Sequence, residues 1–403
     1  MKATNGSFIS GNAKVVRNIN RAVILNLIRE KQPISRIEIA RMSGLNKSTV
    51  SSIVSGLIDE DLIYEEVEAN QNVGRNPINL FLKLGTHFIG AINIDSPISR
   101  LAISDLDGSL RESAAIETSV EIPELFIKRC VKELFKLRDR LRLAHLEGIG
   151  VSVAGIVDPI KATVKFAPRL RWEDFELGKL LKELCPEEGI IIVDNDARAS
   201  ALAELWHGKH NLNLSNFVFL SVGPGIGAGI VVGKNVMQGH SFASGEFGHM
   251  TLFEGGELCA CGNYGCWEAY ASDRATVKRY LARRPNDQAT DHLTLLQEII
   301  DLAVKKNDTI AREVLLQTGH FLGMGIADII KSLDPEAIII GGRITGAWEI
   351  IYPEIMQTLE KRAFFGKQRT IHILPTSLKV RPRLLGAATL VVKELFSDFK
   401  IIR

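Results

Sequence analysis

Between residues 23 and 58 the apolar positions recur at helical spacing, and the breaks between them carry residues that stop or start helices. Val23-Ile24-Leu25-Asn26-Leu27-Ile28 reads as the core of a first helix, ended by Pro33. Ser35 can cap a second helix carrying Ile37, Ile39, Ala40 and Met42, and Gly44 supplies the turn after it. A third helix sets Val50, Ile53, Val54, Leu57 and Ile58 on one side, and Asn46, Lys47, Ser48, Thr49, Ser51 and Ser52 opposite. The period then changes to that of strands over 62–67 and 78–82, around a turn-rich stretch at 69–77. Three helices and a hairpin predict a winged helix-turn-helix over residues 1–84.

Beyond residue 84 the pattern becomes buried strands alternating with helices. Strands are expected at 87–94, 101–105, 148–153 and 190–194, then at 217–222, 229–232 and 337–340. Helical stretches fall near 123–143, 174–185, 197–206, 296–304 and 310–332, so the body is α/β. Two sets of strands imply two lobes, 85–195 and 196–377, with the segment 378–403 packing back on the first. The cleft between two such lobes is the usual place for a small ligand.

Composition adds two limits. The 403 residues exceed what one hydrophobic core supports, and no stretch approaches the ~20 apolar residues that span a bilayer. A soluble cytoplasmic protein with no membrane partner is therefore expected. The net charge of +2 conceals a split: the first 50 residues hold nine basic residues against Glu30 and Glu38, a local +7, leaving −5 for the rest. A basic end on an acidic body suggests a polyanion partner, although a solvated charged face is the commoner reason for such a bias.

Together with the helical pattern, the charge points to operator DNA. Small polar side chains on the third helix let its backbone approach base edges and phosphates, so Asn46, Lys47, Ser48, Thr49, Ser51 and Ser52, with Arg36 before them, are the candidate contacts. Arg75, between Gly74 and Asn76-Pro77, either reaches a narrow minor groove or is a solvent-exposed loop arginine.

A second chemistry sits near the middle of the chain. His249, Cys259, Cys261 and Cys266 have the spacing of a closed tetrahedral site, three thiolates and one imidazole, which suits a structural zinc ion. Three of five cysteines within eight positions, separated by glycines, would fill a core oddly if they were only small hydrophobes. Cys130 and Cys185 stand alone and no signal peptide precedes them, which argues against disulfides.

These cysteines lie in a stretch, Gly245-Glu246-Phe247-Gly248-His249 through Cys259-Ala260-Cys261-Gly262-Asn263-Tyr264-Gly265-Cys266-Trp267-Glu268, that resembles the signatures of the ROK family. That family joins bacterial sugar kinases to sugar-responsive repressors on an actin-like, hexokinase-like two-lobed fold, and the resemblance covers nearly the whole chain. Asp194-Asn195-Asp196-Ala197 is similar to the segment that binds sugar hydroxyls and, in the kinases, supplies the catalytic base. By resemblance, Asn195, Asp196, Glu246, His249 and Glu268 form the sugar pocket. The alternative for Asp196 is a helix cap before Ala197.

Departures from the kinase pattern bear on activity. Where ROK kinases carry Asp-Ile-Gly-Gly-Thr-Lys, this chain has Asn93-Ile94-Asp95-Ser96-Pro97-Ile98, and Pro224 stands where kinases usually offer threonine. Without the glycines a backbone cannot cradle phosphate, and Asp95 adds a negative charge. Arg169 replaces a family asparagine; it either faces the cleft and favours a negatively charged ligand group, or lies on the surface. The resulting expectation is a non-enzymatic, sugar-responsive DNA-binding repressor that acts as a homodimer or homotetramer. The alternative is a ROK sugar kinase with an added N-terminal module.

Overall fold

The computed structural model describes residues 13–67, 78–210, 212–284, 292–362, 371–378 and 381–397. The N-terminal helices are α1 (Ala13–Lys31), α2 (Arg36–Ser43) and α3 (Lys47–Asp59). Their boundaries follow local chemistry. The Ser35 side chain accepts from the Glu38 amide while Glu38 accepts from the Ser35 amide at 2.9 Å, a reciprocal cap on α2. Gly44, at φ 71°, closes that helix in a left-handed conformation that costs a glycine little. Asn46 caps α3 by accepting from the Thr49 amide at 2.7 Å. Strands β1 (Ile34–Ser35), β2 (Ile63–Val67) and β3 (Ile78–Leu82) pair antiparallel in the order β1-β3-β2, giving the wing. Ile37 and Met42, expected inside, are exposed, and only Ile39 of α2 is buried. A helix of two turns presents little more than one side chain to the core formed by α1 and α3.

The first five-stranded sheet has the order β11-β7-β4-β5-β6 and uses β4 (Phe88–Ile94), β5 (Ile98–Asp105), β6 (Leu110–Glu117), β7 (Gly148–Val153) and β11 (Ile190–Asn195). Helices α4 (Pro123–Arg140) and α5 (Leu177–Leu184) cover it. A small antiparallel sheet of β8 (Ile156–Asp158), β9 (Thr163–Ala167) and β10 (Trp172–Phe175) stands at its edge. The helix expected from 174 starts instead at Leu177, because Trp172–Phe175 pairs with β9. That strand carries Trp172 into the core against Phe126 and Phe175, and burying a large aromatic outweighs local helix propensity.

Helix α6 (Asp196–His207) leads to the second five-stranded sheet, ordered β14-β13-β12-β15-β16, from β12 (Phe217–Val222), β13 (Ile226–Val232), β14 (Asn235–Val236), β15 (Ala337–Gly341) and β16 (His372–Pro375). Around it lie α7 (Glu268–Ala271), α8 (Asp273–Arg283), α9 (His292–Lys305), α10 (Thr309–Leu333) and α11 (Trp348–Arg362). The last helix, α12 (Pro382–Ser397), returns to the first sheet. It approaches β7 so closely that a Cβ on Gly150 would lie 1.8 Å from the Ala387 carbonyl oxygen. Side chains of α1, α3, β3, β4 and α12 share one continuous core, including Ile24, Leu57, Leu80, Ala91, Ala388 and Phe396. The winged helix is therefore packed onto the body rather than tethered to it. Among the described residues no helix is long and apolar enough to cross a membrane.

Candidate functional site

The end of β11 and the start of α6 form the floor of a cleft of about 370 Å³ between the lobes, lined by Asn195, Asp196, Glu246, His249, Glu268 and Arg169 among others. Each predicted pocket residue thus reaches one cavity. Asn195 is the cap of α6: its Oδ1 accepts from the Ala197 and Arg198 amides, both at 2.9 Å, and its Nδ2 donates to the Gly155 carbonyl at 2.9 Å. Most of its hydrogen-bonding capacity is spent holding the helix. The cap is Asn195, so the helix-cap alternative for Asp196 does not hold.

Asp196 instead faces Arg383, whose Nε lies 3.2 Å from its Oδ2. The same guanidinium donates to Asp95 Oδ2 at 2.6 Å and to Ser221 Oγ at 3.0 Å, so one arginine of α12 joins both lobes. Asp95 also pairs with Arg169 at 3.2 Å, and Nη1 of Arg169 is buried with no hydrogen-bond partner. Arg169 is thus a cleft residue and not a surface one. Burial pushes the Asp196 carboxyl up, with Asp95 adding repulsion and Arg383 and Arg169 opposing it. Glu246 is likewise raised by burial, with the facing Asp196 and Glu268 adding to the shift and His249 pulling it down. Convergent carboxylates in a cleft that solvent still reaches at Glu246 suit a polyol, whose hydroxyls donate to each.

On one wall of the cleft, His249, Cys259, Cys261 and Cys266 present ligand atoms all within 4.8 Å of one another. Cys259 Sγ lies 3.7 Å from His249 Nδ1, and Cys261 Sγ lies 3.7 Å from Cys266 Sγ. A tetrahedron with Zn–S about 2.3 Å and Zn–N about 2.0 Å requires ligand separations of about 3.5 to 3.8 Å. The group can therefore hold a metal ion. His249 turns its other nitrogen, Nε2, toward Glu246 Oε2 at 3.8 Å, and Cys259 Sγ donates to Glu268 Oε1 at 3.3 Å. Both pocket glutamates thus contact the cluster.

On the winged helix, Asn46, Lys47, Ser48 and Ser52 are exposed, and Thr49 and Ser51 are half-buried. Ser48 donates to Asn46 Oδ1 at 2.8 Å, which ties two of these side chains to the start of α3. Arg36 is held by Glu65 of the wing at 2.8 Å and by the Ser51 carbonyl, so a DNA contact would have to replace that ion pair. Arg75 lies outside the described residues.

Two helices connect this surface to the cleft. Helix α6 begins at Asp196 and ends beside α1, where Arg29 stacks over Trp206 and donates to its carbonyl at 3.2 Å. Helix α12 (Pro382–Ser397) carries Arg383 in its first turn and Phe396 in its last, whose ring meets Trp206 and whose carbonyl accepts from Asn26 of α1. Sequence reasoning missed Arg383 and Trp206. Arg381-Pro382-Arg383 does carry a signal: cations at a helix N-terminus oppose the helix dipole, so their presence there points to a partner elsewhere.

A winged helix fused to a two-lobed body with a polar interlobe cleft is the architecture of a ligand-responsive DNA-binding regulator. Residues 89–394 match the ROK family and residues 18–66 match the MarR family. The xylose repressor of Bacillus spizizenii is 30% identical over 391 residues, covering 96% of this chain and 98% of that protein. The DNA-binding transcriptional dual regulator NagC of Escherichia coli is 27% identical, over 96% of this chain and 95% of its own. A crystal structure described as a ROK family transcriptional regulator, homolog of the E. coli MLC protein, superposes with a TM-score of 0.79 at 27% identity, covering 96% of this chain and 98% of that one. The chain belongs to the ROK family.

Proposed function

We propose that this protein is a transcriptional repressor whose hold on operator DNA is set by a sugar bound between Asp196, Glu246 and Glu268. The observation that carries this reading is the continuity of α6, from Asp196 at the cleft to Trp206 under the winged helix. A sugar that engages Asp196 competes with Arg383 for the same carboxylate. Movement of either partner displaces the start of α6 or α12, and both helices end on α1. Operator and sugar then disfavour each other reciprocally.

A zinc ion held by His249 Nδ1 and the three thiolates would play a structural part, fixing the loop that presents Glu246 and Glu268. The closed ligand set leaves no coordination position for substrate. His249 Nε2 remains for a sugar hydroxyl, and the unpartnered Arg169 Nη1 is a donor for a hydroxyl or an anionic substituent. On the DNA side, the exposed start of α3 with Lys47 enters the major groove, and a two-fold homodimer places two such helices on half-sites. Phosphoryl transfer fits poorly. The would-be base Asp196 is ion-paired with Arg383, and Asp95 and Ser96 stand where a phosphate-binding loop needs glycines, with Pro97 at the threonine position.

The test is an anisotropy titration of an operator selected from a random DNA library, at one salt concentration, with and without a sugar found by thermal-shift screening. Saturating sugar should weaken operator binding about 5- to 150-fold. Superimposable curves for every stabilising sugar refute the reading.

A further inference from the structure

Arg198, in the first turn of α6, is only 1% exposed, so its guanidinium must find its partners inside the protein. Three separate parts of the chain supply them. Nε donates to Asp194 Oδ1 at 2.7 Å, and Nη2 reaches the same oxygen at the end of β11. Nη2 also donates to the Val157 carbonyl of β8 at 2.8 Å, and Nη1 to the Phe242 carbonyl at 2.5 Å. Asp194 belongs to the first five-stranded sheet and Val157 to the small sheet at its edge. Phe242 lies across the cleft from them, on the loop that runs from β14 of the second sheet to Glu246.

That loop has little else to fix it. Gly245 docks its far end on β13, accepting from the Ala228 amide at 3.1 Å. Among the described residues, 239–243 make no hydrogen bond to another element except the one Phe242 accepts from Arg198. Phe242 itself stands at φ 62°, a conformation that costs a residue with a Cβ and persists only where its surroundings hold it. The charge of Arg198 also reaches the end of the loop: burial raises the Glu246 carboxyl most, and Arg198 joins His249 in opposing that rise. Asp196 stands two residues before Arg198 on the same helix. We propose that Arg198 is a positioning residue for the ligand, holding Glu246 opposite Asp196 at the spacing in which both carboxylates accept from one sugar. This inference rests on the sugar reading of the cleft. Glu268 is held independently, its Oε2 accepting from the Ile226 amide at 3.2 Å and its Oε1 from Cys259. A planar fork of donors can fix three partners at once, whereas a lysine ammonium keeps the pairing with Asp194 but has no second arm for Val157 and Phe242.

The experiment is isothermal titration of the full-length protein with the tightest binder from a thermal-shift screen that includes D-xylose, D-glucose and N-acetyl-D-glucosamine. Arg198→Lys should bind that sugar at least about tenfold more weakly, a loss typical of one charge-assisted hydrogen bond. Weaker binding alone would also follow from general damage, so the deciding measurement is a pair of double-mutant cycles. If Arg198 acts through Glu246, adding Arg198→Lys to Glu246→Gln should cost little more than Glu246→Gln alone. Added to Glu268→Gln, it should multiply the loss. Phe242→Gly leaves the buried ion pair intact and frees the loop, so it repeats the test should Arg198→Lys fail to fold; it too should weaken sugar binding without multiplying the loss of Glu246→Gln. The proposal is overturned if both cycles multiply, or if Arg198→Lys or Phe242→Gly binds the sugar as tightly as the unaltered protein. Should no sugar in the screen bind the unaltered protein, the reading of the cleft itself fails, and this inference with it.

Discussion

The guanidinium of Arg29 lies 4.1 Å from the centre of the Trp206 ring, stacking the first helix of the winged module on the last turn of the helix that begins at Asp196. Arg29 is tied further by Glu30 at 2.8 Å, and burial lowers its pKa. This contact joins the helix that starts at the cleft to the first helix of the winged module. Arg29→Gln should leave sugar binding intact and shrink the sugar-dependent change in operator affinity from about 5- to 150-fold toward unity. Paired anisotropy titrations measure both, and an undiminished response would remove Arg29 from the route.

The metal cluster predicts a linked loss. Cys261→Ser should abolish the bound metal, measured as one zinc per chain by elemental analysis, and weaken sugar binding at least about tenfold. A closed zinc site contributes on the order of 10 kcal/mol to the folding of small domains, of which a large lobe feels a part. Full zinc content in a variant lacking two of these cysteines would contradict the assignment.

At the domain junction, His207 bonds Thr389 at 3.1 Å. Burial first, and Arg29 second, lower its pKa from 6.5 to about 4. Because the folded protein resists the proton more than the unfolded chain does, the stability from neutral His207 is fully present above pH 6.5. It is lost as the pH falls toward 4, by about 2 kcal/mol between pH 7 and pH 5. Denaturant titrations of the wild type and His207→Gln at the two pH values should show a smaller drop in the variant. An equal drop in both would assign the acid sensitivity elsewhere.

The two ends of the chain should also separate by mutation. Lys47→Ala should weaken operator binding and lower its salt dependence by about one released counterion while leaving sugar binding unchanged. Glu246→Ala should leave operator affinity intact and remove its response to sugar. If Lys47→Ala left the salt slope unaltered, α3 would not meet the phosphates at that position.

What the chain determines by itself is local. Ser35, Gly44 and Asn46 mark helix ends because each satisfies backbone groups within three or four residues of itself. The helical and strand periods of residues 23–67 follow from one side of each element facing a core. The ligand cluster is equally legible, since Cys259, Cys261 and Cys266 lie within eight positions and the turns between them bring their sulfurs together. Tertiary structure decided what depends on distant partners. Ile37 and Met42 look internal by period, yet no neighbouring element covers them; Trp172 draws a strand out of a stretch that reads as helix. Arg36 looks free in the sequence and is held by Glu65. The junction of Arg383 with Asp95, Asp196 and Ser221 unites three remote parts of the chain. No local pattern encodes such a contact, because burying a charge is favourable only where folding has already brought its counter-charges together.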